Sequence, residues 1–113
     1  MRKKIVAGNW KMNNNKSETI DFIQSLKKLT LSSRVRVIIA PAFTHLAQAE
    51  EMTRESPLEV VAQNMNAKKS GAFTGEISAT MLQSIGITSV ILGHSARRAY
   101  YNESDLTLNA KVS

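Results

Sequence analysis

Four short runs of mostly β-branched residues, each separated from the next by a helical pattern, constrain this chain more than any other feature. Ile5–Val6–Ala7, Val35–Ile39, Glu59–Val60–Val61–Ala62 and Val90–Ile91–Leu92 are continuous rather than alternating. That is the pattern of strands covered on both faces. Between them lie amphipathic segments. Ser17 can cap a helix carrying Ile20, Ile23, Leu26 and Leu29, with Glu18 and Asp21 in its first turns. Thr44 can cap a second through Leu46, Ala49 and Met52, which Ser56–Pro57 stops. Ser78 can open a third, with Met81, Leu82 and Ile85 inward and Gly86 at its end. The order βαβαβαβ argues for an α/β fold of parallel strands with helical crossovers, in one domain spanning residues 1–113.

The last segment is ambiguous. Ser104–Asp105 is a helix start, yet Leu106, Leu108, Ala110 and Val112 alternate with period two. The expectation is a helix.

Composition narrows the function classes. With 113 residues, 42% hydrophobic and 21% charged, the chain fits a globular domain rather than a disordered one. It has no Cys, so disulfides and thiolate metal sites are excluded. The apolar run after the basic start MRKK is only Ile5–Val6–Ala7, too short for a signal peptide, and no stretch approaches a membrane span. The expectation is a cytoplasmic protein with no membrane partner. Fifteen Lys and Arg against nine Asp and Glu give a net charge of +6. The bases at Arg2–Lys3–Lys4, Lys27–Lys28, Arg34/Arg36, Lys68–Lys69 and Arg97–Arg98 are scattered and not interleaved with aromatics. They describe solvated faces better than a nucleic-acid surface, and anionic small molecules remain open as ligands.

In parallel α/β architectures ligands gather at the carboxyl ends of the strands. Three polar groups fall there: Gly8–Asn9–Trp10–Lys11, Gln63–Asn64 and Gly93–His94–Ser95. Lys11 would supply charge, Asn9 an amide hydrogen bond, and His94 proton transfer or polarisation. Taken singly, each has a plainer explanation: Lys11 as a solvated surface lysine, Asn9 as a turn residue, His94 as a hydrogen-bonded structural group. The 64–78 connection is long for a βα loop, and Phe73 near its tip has the character of an apolar anchor.

The segments AGNWKMN (7–13), AQN (62–64) followed by GAFTGEIS (71–78), and VILGHSARR (90–98) resemble the triosephosphate isomerase family, in order and at the family's spacing. The resemblance implies a (βα)8 barrel, of which this chain would be the N-terminal (βα)4 half. It implies an isomerase of glycolysis and gluconeogenesis that interconverts dihydroxyacetone phosphate and glyceraldehyde 3-phosphate. Asn9 and Lys11 would bind the phosphorylated triose, and His94 would polarise its oxygen as a neutral imidazole. Ser95 would lie near the site. The 64–78 loop would be the dimer arm, with Asn64, Phe73, Thr74, Gly75 and Glu76 at the interface, Thr74 reaching the neighbour's site and Glu76 pairing with Arg97. Arg98 and Glu103 would belong to a structural polar network. No metal or organic cofactor is implied.

Two departures from the family pattern matter. The family has a glutamate where this chain has Ala96, so Lys11 would lack its usual carboxylate partner. The family's catalytic base, mobile lid and glycine-rich phosphate turns lie in the second half of the barrel, beyond Ser113. The expectation is therefore a chain inactive by itself. It would be completed by a complementary half-barrel or self-associated through its open edges, the alternative being a catalytically dead, engineered assembly module.

Overall fold

The computed structural model describes residues 4–29, 35–101 and 103–112. Arg2, Lys3 and Arg34 of the basic pairs lie outside them. Strands β1 (Lys4–Asn9), β2 (Val35–Ala40) and β3 (Leu58–Val60) form one parallel sheet in the order β1-β2-β3. Lys4 pairs with Val35 at one end and Asn9 with Ala40 at the other, and Val37 to Ile39 pair with Leu58 to Val60. Helices α1 (Lys16–Lys28) and α2 (Leu46–Thr53) make the two crossovers. Consecutive strands therefore lie side by side with all carboxyl ends at one rim, as the βαβ order requires.

The fourth apolar run forms less strand than its composition predicts. It contributes a single parallel bridge, Ala62 to Val90, supported by Ala62 N–H donating to Ser89 O at 3.0 Å and Ile91 N–H donating to Ala62 O at 2.9 Å. Gly93, at φ +71°, turns the chain away directly after Leu92, and a Cβ there would stand 3.1 Å from Leu108 Cδ1. Among the described residues no strand pairs with the far side of Val90, so nothing extends the ladder.

Helix starts are set by whichever side chain reaches the orphan N–H groups. For α1 that residue is Asn15, not Ser17. Asn15 Oδ1 accepts from Glu18 N–H at 2.9 Å, and Glu18 Oε1 accepts from Asn15 N–H at 3.0 Å, a reciprocal capping box. Replacing Asn15 with Ala should cost about 1 kcal/mol in urea unfolding, and Ser17→Ala much less. Thr44 lies inside a 3-10 turn, Phe43–His45, that leads into α2. Ser78 does cap α3 (Ala79–Ser84), its Oγ accepting from Met81 N–H. Met81 itself is exposed, however, and Leu82 takes the inward position. Helices α4 (Ser95–Tyr101) and α5 (Asp105–Val112) complete the chain. Ser104 Oγ accepts from Thr107 N–H and opens α5 as a helix. Leu108 turns inward there while Ala110 and Val112 face out; the side chain of Leu106 lies outside the described residues.

Two buried clusters hold these elements. Ile23 of α1, Ile39 of β2 and Ala49 of α2 form one; Leu46, Ala62, Leu82 and Ile87 form the other. Val60 packs against both and joins them. Coverage fails at β1, where Ile5 is 56% and Val6 58% exposed. Adjacent strand residues point to opposite faces, so among the described residues both faces of β1 are open and none pairs with the edge away from β2.

Candidate active site

Trp10 to Asn14 leave β1 through a turn with two left-handed residues, Lys11 at φ +55° and Asn14 at φ +73°. Asn9 Oδ1 accepts the Lys11 N–H at 2.9 Å, a side-chain turn that bends the chain over the strand end. Trp10 N–H donates to Ala40 O at 3.1 Å, tying the turn to β2. Gln63 Nε2 donates to both Lys11 O and Ala40 O, each at 2.8 Å. The turn that carries Lys11 is thereby fastened to the ends of two neighbouring strands.

His94 opens α4. Its carbonyl accepts from Arg97 N–H at 2.9 Å and Arg98 N–H at 3.2 Å, and its ring Nδ1 accepts from Ala96 N–H at 3.1 Å. A backbone N–H can only donate, so Nδ1 carries a lone pair in this arrangement. That leaves Nε2 as the ring nitrogen available to donate. The Ala96 N–H holds the ring orientation.

Asn9, Lys11, Gln63, Asn64, His94, Ala96 and Arg97 share a cavity of about 350 Å³ at the strand rim, with Met12, Phe43 and Tyr101 as its apolar and aromatic walls. The three residues singled out for chemistry are thus brought together. Among the described residues, Lys11 and Arg97 bring two cations to this lining and no Asp or Glu belongs to it. Arg97 is committed elsewhere: its Nε donates to Glu103 Oε2 at 3.1 Å and its guanidinium lies 5.1 Å from the Tyr101 ring centre. Lys11 is the exposed cation of the cavity. Ser95 is exposed at the start of α4, and Ala96 presents only a methyl group.

Behind the cavity sits a buried polar cluster that sequence reasoning found only in part. Glu103 is 8% and Lys111 7% exposed. Lys111 Nζ donates to Asn64 Oδ1 at 2.9 Å and to Glu103 Oε2, which also accepts from Arg97. Burial pushes the Glu103 carboxyl upward, but the hydrogen bonds and charges of Lys111 and Arg97 together outweigh it and hold the group below the usual carboxylate range. Lys111 gave no sequence signal, because its partners lie 8 and 47 residues away along the chain.

The residues expected at an interface divide. Asn64 is buried inside this cluster. Phe73, Thr74, Gly75 and Glu76 are exposed on the 65–78 loop, where Asn66 Nδ2 donates to Glu76 Oε1 at 2.9 Å. Glu76 and Arg97 each have a partner within the chain, Asn66 and Glu103. Among the described residues no group of three His, Asp or Glu is placed to hold a metal ion, and no helix is long and apolar enough to cross a membrane.

The sequence profile of triosephosphate isomerase matches residues 4–113. The chain belongs to the triosephosphate isomerase family. It is 54% identical over 113 residues to the triosephosphate isomerase of Flavobacterium psychrophilum and 48% identical over 112 residues to that of Clostridium acetobutylicum. The enzyme of Alkaliphilus metalliredigens is 45% identical over 112 residues. Each match takes in 99% of this chain and 45% of the relative, so the chain spans just under half the length of these triosephosphate isomerases. The parallel sheet with helical crossovers is the partial barrel expected of the N-terminal part of that fold.

Proposed function

We propose that this chain carries the substrate-polarising half of a triosephosphate isomerase site, and that it turns over dihydroxyacetone phosphate and glyceraldehyde 3-phosphate only when a complementary half-barrel is supplied. The observation that carries this reading is the convergence of Asn9, Lys11 and His94 on one cavity, with His94 Nδ1 accepting the Ala96 N–H. An Nε2–H directed at a carbonyl oxygen stabilises the charge that develops as the adjacent carbon loses its proton, and a nearby ammonium adds to that. Lys11 suits the phosphorylated end or the developing oxyanion, and the Asn9 amide offers a donor through Nδ2. Removing the carbon-bound proton needs a base within reach. Among the described residues the cavity lining contains no carboxylate, so the isolated chain is expected to be inactive.

The test is a coupled isomerase assay on the chain alone and mixed with a polypeptide bearing the remaining strands. No turnover alone, turnover on mixing, and a loss of about a hundredfold or more in His94→Ala support the reading. Turnover by the chain alone that disappears in His94→Ala would mean that a base is recruited from within these residues.

A second reading draws on β1. Its open edge, with Ile5 and Val6 exposed, favours self-association of copies as an assembly module without catalysis. Sedimentation at micromolar concentration checks it: a persistent monomer removes this second reading.

A further inference from the structure

The cavity includes one backbone conformation that needs an explanation of its own. Lys11 sits at φ +55°, in the left-handed region that non-glycine residues seldom occupy and that persists only where surrounding contacts enforce it. Three hydrogen bonds surround it. Asn9 Oδ1 takes its N–H, Trp10 N–H is anchored on Ala40 O, and Gln63 Nε2 donates to its carbonyl. The first two are local to the turn and β2. Among the described residues, only Gln63 reaches Lys11 from the far side of the sheet, 52 residues along the chain.

We propose that Gln63 is a positioning residue: its amide holds the Lys11 backbone in the left-handed conformation and so directs the ammonium into the cavity. The proposal rests on the functional reading above, in which Lys11 meets the anionic part of the ligand. Both Nε2 hydrogens are used, one on Lys11 O and one on Ala40 O, at 2.8 Å each. That fixes the orientation of the amide, because the flipped amide would set its oxygen against two carbonyl oxygens. The two acceptors are not equivalent. Ala40 O also accepts from Trp10 N–H at 3.1 Å. For Lys11 O, Gln63 is the cross-sheet donor.

The experiment uses the full chain, with sulfate as an anion probe that does not titrate across the range studied. Nuclear magnetic resonance reads the Lys11 HN–Hα coupling and Cα shift, which report the left-handed conformation, and the sulfate titration reads affinity. In Gln63→Leu the left-handed signature should be lost and sulfate affinity should fall by about fivefold, the worth of one net hydrogen bond. Gln63→Glu has almost the same size but donates only when protonated. At low pH its single proton can go to Lys11 O and restore the signature; once its own carboxyl resonance reports ionisation, the carboxylate faces two carbonyls and the signature should disappear. The unsubstituted chain should show it throughout.

If Gln63→Leu fails to fold, the pH comparison within Gln63→Glu still decides. Retention of the left-handed signature by Gln63→Glu at a pH where the carboxyl carbon resonance of residue 63 shows it ionised overturns the proposal. A Lys11→Met chain that binds sulfate as tightly as the original removes the anion-ligand reading instead, while the backbone signature continues to judge Gln63.

Discussion

Replacing Lys111 with Met should cost about 3–5 kcal/mol, because it leaves the buried Glu103 carboxylate with only one of its two cationic partners. In a domain of this size each kcal/mol corresponds to roughly 4–8 °C, so the thermal midpoint should fall by about 12 °C or more. The double variant Lys111→Met with Glu103→Gln should recover much of the loss, since neither charge then remains buried without its partner. A double variant as unstable as the sum of the two single ones would show that the cluster acts through shape rather than charge.

The same cluster sets an acid limit. The Glu103 carboxyl titrates below its unfolded value, so its contribution is complete above the unfolded value of about 4. It is lost as pH falls through the folded-state value. Urea midpoints measured between pH 7 and pH 2 should therefore decline at the acid end, and the decline should be shallower in Glu103→Gln.

The second large effect lies in the apolar core. Leu46 is 1% exposed and packs with Ala62, Leu82 and Ile87. Leu46→Ala should cost about 2–5 kcal/mol through lost burial and the cavity left behind. Leu29, the largely exposed residue that ends α1, provides the control: Leu29→Ala should stay within about 0.5 kcal/mol. Equal losses at the two positions would contradict the assigned core.

What the sequence made legible follows from where each signal resides. The three strands and the helices between them were readable because β-branched runs and 3.6-residue periodicity are local properties. The cap of α1 was misplaced at Ser17 because Asn15 acts together with Glu18, and several polar residues crowd that turn. The fourth run has the composition of a strand, yet strand length is decided by the neighbour that pairs with it. Met81 was expected inward because helical spacing fixes a face only to within the width of the stripe, and α3 is short.

Within the site, Asn9, Lys11 and His94 were found from their place at strand ends, and the motifs around them named the family. Gln63 was visible as a strand-end residue, but its bonds to Lys11 and Ala40 cross the sheet. Lys111, in a helix of mixed pattern, gave no hint that it would turn inward to Asn64 and Glu103. Both belong to tertiary pairing, which a single sequence does not encode as a local pattern.

The open edge of β1 and the far side of Val90 are different surfaces, at opposite ends of the sheet. A copy that docks by one of them keeps the other free. A contact that joined the β1 edge of one copy to the Val90 side of the next would be head-to-tail, with no built-in stopping point, whereas β1 against β1 would close at two copies. The head-to-tail contact would end where the rotation between successive copies closes a ring, at two copies for half a turn or three for a third of a turn; a rotation that does not close would add copies without limit and yield filaments. The size distribution of such an assembly would measure an angle: discrete species would report closure, and steady growth of scattered light with concentration a helical pitch.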